Sequence, residues 1–271
     1  MKKNLILVFS FLLSCFAIEA SAEKSFEMPG VQVIPIQDTQ NKRAYELYIK
    51  LPKNYSKDNN VKYPVVYLTD AGHIKLLSTA TNYLMKNVIL VGISYEKGMT
   101  RTDSRGRDYT PAKIEAWQEK TGEAKKHLTF IRKDVISYVE NNYRADSDKR
   151  TFYGYSLGGL FGAYVLLAQP DTFNNYIIGS PSIHFVYDFM FQLESHAARN
   201  QKDLNANVYI SVGALEDEYV GPIEEFILKL RSRNYASLSL QHQVMKSADH
   251  EGAFPMSAMH GINWLSNLMN K

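Results

Sequence analysis

The run Gly154-Tyr155-Ser156-Leu157-Gly158-Gly159 carries the strongest chemical signal in the sequence. It follows a short β-rich segment, Thr151 to Tyr153, and opens an apolar helix-like stretch, Leu157 to Ala168. A hydroxyl on a tight strand-to-helix turn of this G-x-S-x-G type stands clear of the sheet and can attack a carbonyl. The glycines on either side let the backbone close. The following helix directs its first N–H groups toward the point where an oxyanion would form. The sequence thus nominates Ser156 as nucleophile and the amide of Leu157 as first oxyanion donor. Tyr155, beside the serine, is a candidate substrate contact.

A serine hydroxyl is a weak nucleophile until a base takes its proton. In this setting the partners follow the serine in the order acid, then histidine. His250, in Ser247-Ala248-Asp249-His250-Glu251-Gly252, comes just after the last strand-like run and is the expected base. His242 falls inside that run, His260 in the last helix, and His127 and His196 on other helices. The acid belongs after the penultimate strand, Val208 to Val212, which leads into Gly213-Ala214-Leu215-Glu216-Asp217-Glu218. Glu216 is the first choice and Asp217 the second; a Ser–His pair working alone is the third reading. A second oxyanion donor is expected from Leu68-Thr69-Asp70-Ala71-Gly72-His73, through the amide of Ala71 or Gly72. His73 could touch substrate, but a surface residue is the first reading.

Arg101, Arg105 and Arg107 cluster before Tyr109. They form a solvated basic loop, or they place a guanidinium, Arg107, at the pocket mouth to meet an anionic substrate. A structural pairing of Arg107 with Asp108 is an equal alternative. No cluster of His, Asp and Glu has metal-ligand spacing on one element, so neither a metal nor another cofactor is expected.

The elements that must position these residues alternate in type. Strand-like runs at Arg43 to Leu51, Tyr63 to Leu68, Asn87 to Ser94, Asn175 to Ile178, Ala206 to Val212 and Ser237 to Val244 are separated by helix-like stretches. Among the latter, Ala124 to Asn142 carries Leu128, Ile131, Val135, Ile136 and Val139 near a 3.6-residue period. Pro222 to Arg231 and Ala253 to Leu268 also read as helices. Apolar strands between helices predict an α/β fold, a mainly parallel central sheet with helices on both faces.

The chain has 271 residues, and the first 22 have the three-part layout of a secretory signal peptide. Lys2 and Lys3 precede the apolar run Leu5 to Ile18, which ends before Ala20-Ser21-Ala22. A lipoprotein is the runner-up, because Leu12-Leu13-Ser14-Cys15 loosely resembles a lipidation site. Residues 23–271 are expected to form one domain, without a transmembrane helix, in the periplasm or outside the cell. Cys15 is the only cysteine, so a mature chain would have no disulfide and no thiol nucleophile. The formal charge is +3, and removing residues 1–22, which hold Lys2, Lys3 and Glu19, leaves +2. So slight an excess argues against a nucleic-acid partner.

The stretch from Tyr63 to Ser182 resembles the esterase-D-like α/β-hydrolases, most of all the branch of bacterial siderophore trilactone esterases. The matching segments are Pro64 to Asp70, Val91-Gly92-Ile93-Ser94-Tyr95, Arg107-Asp108-Tyr109-Thr110-Pro111, Gly154 to Gly159 and Ser180-Pro181-Ser182, and His250 fits the family's histidine. The sequence departs at Ala71, where the family usually has Gly, at Tyr155, where it often has His, and at Ile183-His184-Phe185, where it tends to aromatics. The resemblance implies an α/β-hydrolase fold and cleavage of a small-molecule ester through an acyl-enzyme, with a catecholate trilactone as one substrate class. Feruloyl or simpler acyl esters, acyl transfer on the same Ser–His site, and a non-catalytic binding role are the alternatives.

Overall fold

Burial alternates along the strands so that one sheet serves two cores. The computed structural model describes residues 28–56 and 60–270; the signal-like segment 1–22, with Cys15, lies outside the described residues. Among these, eight strands form one sheet: β1 (Val31–Asp38), β2 (Arg43–Lys50), β3 (Tyr63–Leu68), β4 (Ile89–Ile93), β5 (Ala145–Tyr155), β6 (Asn175–Gly179), β7 (Ala206–Gly213) and β8 (Leu238–Met245). Their spatial order is β1-β2-β4-β3-β5-β6-β7-β8. The β1–β2 and β2–β4 pairs are antiparallel, and every other neighbouring pair is parallel.

Successive side chains on a strand point to opposite faces. Val65, Tyr67, Phe152, Ile178, Val208 and Ile210 therefore enter one core, while Val66, Leu68, Tyr153, Ile177 and Tyr209 enter the other. The helices are α1 (Ile74–Leu84), α2 (Arg101–Tyr109), α3 (Ala124–Phe130), α4 (Ser137–Asn142), α5 (Leu157–Ala168), α6 (Tyr187–Asn200), α7 (Asp217–Ser232) and α8 (His250–Met269). A π-helical segment, Ile131–Ile136, joins α3 to α4. α1 and α8 cover the second core through Ile74, Leu77, Ile262 and Leu265. The other core takes Leu128, Leu160, Phe161, Met190 and Phe226 from α3, α5, α6 and α7. Helices thus lie on both faces, as expected. Burying Ile262 and Leu265 contributes about 1.5–3 kcal/mol each, which anchors the helix whose first residue is His250. No helix among the described residues is long and apolar enough to cross a membrane.

Two elements depart from the sequence pattern. β1 lies upstream of the first strand-like run expected from the sequence, Arg43 to Leu51, and has Pro35 in its middle. β1 pairs only with β2 and so lies at the sheet edge, where a missing N–H costs no ladder bond. α2 is polar on every side and shows no apolar period. It is fixed by the Thr100 side chain, which accepts from the Asp103 amide, and by ion pairs.

Candidate active site

Ser156 occupies the turn between β5 and α5 with φ 60° and ψ −121°. A non-glycine residue at that geometry is strained, and the strain persists only where the surroundings over-determine it. Here they do. The Ser156 amide donates to the Gly179 carbonyl (3.0 Å), and the Ser156 carbonyl accepts from the amides of Leu160 (2.9 Å) and Ser182 (3.2 Å). A Cβ on Gly154 would lie 2.2 Å from the Gly158 carbonyl oxygen, and one on Gly158 would lie 2.3 Å from Thr69 Oγ1. Glycine at 154 lets the turn close. Glycine at 158 lets the loop after β3 press against the N-terminus of α5, bringing both expected sources of oxyanion donors together.

His250 is the first residue of α8. Asp249 caps that helix, its carboxylate accepting from the Gly252 amide at 2.9 Å. His250 Nδ1 lies 2.6 Å from Glu216 Oε2. The other oxygen of Glu216 accepts from the Ser180 hydroxyl (2.7 Å) and the Gly213 amide (2.6 Å). Burial alone would raise the Glu216 pKa, but the bonds from His250, Ser180 and Gly213 outweigh it and hold the carboxyl below its ordinary range. A carboxylate only accepts, so the Nδ1 proton belongs to this bond and the Nε2 lone pair is left to accept. Asp217, one residue on, opens α7 and is exposed; the contact with His250 belongs to Glu216.

Ser156 and His250 line one cavity of about 720 Å³. Tyr155 and Tyr219 line it too and flank the imidazole, with ring centroids 5.0 and 4.6 Å from that of His250. The Tyr155 hydroxyl donates to the His250 carbonyl, tying β5 to the start of α8. Gly72 lines the cavity, whereas Ala71 is buried and packs on Gly92, where a Cβ would come within 3.1 Å of the Ala71 Cα. Among the described residues no group of three or more His, Cys, Asp or Glu side chains is placed to hold a metal ion.

The pocket-mouth reading of Arg107 is corrected in favour of its structural alternative, and the first reading of His73 is corrected too. Arg107 does not line the cavity; Arg101 and Arg105 do. Residues four apart share a helix face, while residues two apart point to nearly opposite sides. Arg107 is instead buried, donating to Asp108 at 2.8 Å through both Nε and Nη2, to the Tyr45 hydroxyl at 3.0 Å, and to Glu96. His73 is half-buried rather than a free surface residue, in keeping with the substrate-contact alternative. It lines the cavity with its ring 4.5 Å from that of Phe254, and burial lowers its pKa.

Three residues were not singled out for a role. Ser180 holds Glu216, Ser182 Oγ lies 3.4 Å from Ser156 Oγ, and Tyr219 packs on His250. The Ser-Pro-Ser run directly after β6 was a usable signal, since the carboxyl ends of parallel strands are where such sites assemble. Tyr219, on an ordinary helix, offered none.

The parallel sheet, the strained serine turn and the His–Glu pair behind it define an α/β-hydrolase. The chain belongs to the Esterase family, described as "Putative esterase", which matches residues 39–268. It is 29% identical over 230 residues to ferri-bacillibactin esterase BesA of Bacillus subtilis, covering 77% of this chain and 78% of that one. The crystal structure of BES protein from Bacillus cereus superposes with a TM-score of 0.76 at 26% identity, over 90% of this chain and 97% of that one. An IroE-like serine hydrolase from Shewanella oneidensis shares the fold, with a TM-score of 0.77 at 21% identity over 88% and 80% of the two chains. The chain is therefore an ester hydrolase of the serine class.

Proposed function

We propose that the protein cleaves a siderophore ester, a catecholate trilactone, through an acyl-enzyme on Ser156. The observation that carries this reading is the pairing of His250 with Glu216 at 2.6 Å beside a cavity that also holds Ser156 at φ 60°. Ser156 Oγ attacks the ester carbonyl while His250 Nε2 takes its proton. Glu216 fixes the imidazole through Nδ1 and stabilises the imidazolium. The amide of Leu157, with that of Ala71 or Gly72, holds the oxyanion. His250 then returns the proton to the leaving alkoxide and activates water to release the acid. The Ser156 hydroxyl now has Ser182 as its hydrogen-bonding neighbour. This reading requires Ser156 Oγ and His250 Nε2 to come into contact around bound substrate, since catalytic hydrogen bonds often tighten only in the reacting complex.

The siderophore assignment is supported by the relatives' activity and by the aromatic walls of the cavity, Tyr95, Tyr155, Tyr219 and Phe254. The signal-like residues 1–22 support export to the periplasm or beyond. The test is a hydrolysis panel spanning short acyl esters, feruloyl esters and catecholate trilactones, with a fluorophosphonate probe for Ser156. Trilactones should show the highest kcat/KM, and Ser156→Ala should abolish both turnover and labelling. A labelled enzyme that prefers feruloyl or short acyl esters would overturn the siderophore assignment. An unlabelled one would overturn the catalytic role of Ser156.

A further inference from the structure

One of the two arginines lining the cavity already has an anion of its own. Asp70, in the loop after β3, is 1% exposed and holds a left-handed backbone, φ 57° and ψ 71°. Its Oδ1 accepts from the Tyr95 hydroxyl at 2.7 Å and lies 2.7 Å from Arg105 Nε; its Oδ2 accepts from Arg105 Nη2 at 3.4 Å. The Asp70 amide donates to the Tyr109 hydroxyl at 3.1 Å, and the Arg105 guanidinium lies 6.0 Å from the centroid of the Tyr109 ring. The carboxylate also borders the nucleophile turn, with Oδ2 only 3.3 Å from where a Cβ on Gly158 would be. Asp70 lines the same cavity as Ser156 and immediately precedes Ala71 and Gly72.

A carboxylate in that place is awkward for the reaction. An oxyanion that develops nearby in a low-dielectric pocket is opposed by a like charge and favoured by a compensated one. Asp70 nevertheless has work to do, because its side chain and amide together hold a strained turn. We propose that Arg105 is a positioning residue acting through Asp70: it cancels the Asp70 charge and fixes the loop that presents the second oxyanion donor. It is not a cation for gripping an anionic substrate. Arg101, exposed one turn earlier on the same face of α2, is the arginine left for that task. The inference rests on the proposed role of Ser156 and its oxyanion site.

The test is a charge cycle in the full chain: wild type, Arg105→Gln, Asp70→Asn, the double variant and Arg105→Lys. Each is assayed well below its Tm on p-nitrophenyl butyrate and on the anionic mono-p-nitrophenyl succinate. Arg105→Gln should lower kcat on the order of 10–100-fold on both esters while KM stays within about 3-fold. The double variant should recover to within about 5-fold of Asp70→Asn, and Arg105→Lys, which keeps the positive charge beside Asp70, should keep kcat within about 5-fold of wild type. A rise in KM confined to the anionic ester, or a double variant no faster than Arg105→Gln, overturns the proposal. Should Arg105→Gln not fold, Arg105→Lys decides: a loss of 10-fold or more in kcat at unchanged Tm overturns it. Fluorophosphonate labelling of wild type keeps the two readings apart. An unlabelled Ser156 sinks the catalytic assignment, whereas a labelled Ser156 with no rescue sinks only the role of Arg105.

Discussion

Two clusters of ionisable side chains in this molecule are each built on a buried carboxylate and reach opposite ends. Around Asp108, Arg107 donates through two nitrogens, the Tyr45 hydroxyl through one bond of 3.0 Å, and Arg43 lies 3.5 Å away while also pairing with Glu123. Burial alone would raise the Glu123 pKa, but hydrogen bonds from Lys120, Arg43 and Lys126 hold it down to about 2. Burial raises the Tyr45 phenol. Asp108 is sealed from water and held by these donors, with the buried His127 ring 3.9 Å away and without a hydrogen-bond partner among the described residues, so the cluster braces α2 against β2. Around Glu216 the carboxylate is equally sealed, but its partner His250 keeps about a third of its side chain exposed, at 34%. One ring nitrogen is spoken for and the other is left over. A shifted carboxyl with a half-open partner in a cleft marks chemistry; a shifted carboxyl inside a closed network marks structure.

Substitution sharpens the contrast, starting with the largest effect. Glu216→Ala should lower kcat/KM on the order of 10²–10⁴-fold, because the imidazole loses its tautomer and orientation. Asp217→Ala should change it less than about 3-fold. If Asp217→Ala proved the costlier, the pairing at 2.6 Å would be irrelevant to turnover. Arg107→Ala should act on the fold instead. Removing one partner of a buried ion pair costs about 3–5 kcal/mol, which lowers Tm by roughly 10 °C in a domain this size. KM should stay within about 2-fold. Calorimetry and steady-state kinetics on the same preparations separate the two, and a KM effect at unchanged Tm would restore Arg107 to the substrate.

How far all this could be read from residues alone depends on whether the signal was local. The serine turn was legible because Gly154, Ser156 and Gly158 lie within five positions, and the sterics that require glycine there are local too. The order of Ser156, Glu216 and His250 was legible because parallel strands deliver their loops to one edge. The preference for Glu216 over Asp217 matches the bond geometry. What sequence could not reveal was the phase of a helix with no apolar stripe. On α2, Arg105 and Arg107 look interchangeable in a polar run, yet one faces the cavity and the other the Asp108 cluster. β1 escaped for a related reason: Pro35 removes a donor that an edge strand does not need, so only the pairing partner reveals the strand. His73 likewise became a cavity residue through Phe254, 181 positions away in the chain.

The smallest expected effect is a change of slope with pH, and it touches both clusters. Glu216, Asp108 and Glu123 all have pKa values below the ordinary carboxylate range in the folded protein. A group depressed in this way binds its proton more readily when unfolded. Its contribution to stability is therefore present above about pH 4.5 and is lost as pH falls through the depressed value. Tm should be flat for these groups above about pH 5 and fall steadily below about pH 4. Glu216→Gln removes one contributor and Asp108→Asn another, so each should make the acid fall shallower without abolishing it. The comparison gains its edge at neutral pH. There, Asp108→Asn should lower Tm with little change in kcat, and Glu216→Gln should lower kcat with a smaller change in Tm. An acid slope in Glu216→Gln identical to wild type would mean that the bonds from His250, Ser180 and Gly213 do not hold that carboxyl down in solution. The distinction between a sealed brace and a half-open pair would then rest on exposure alone.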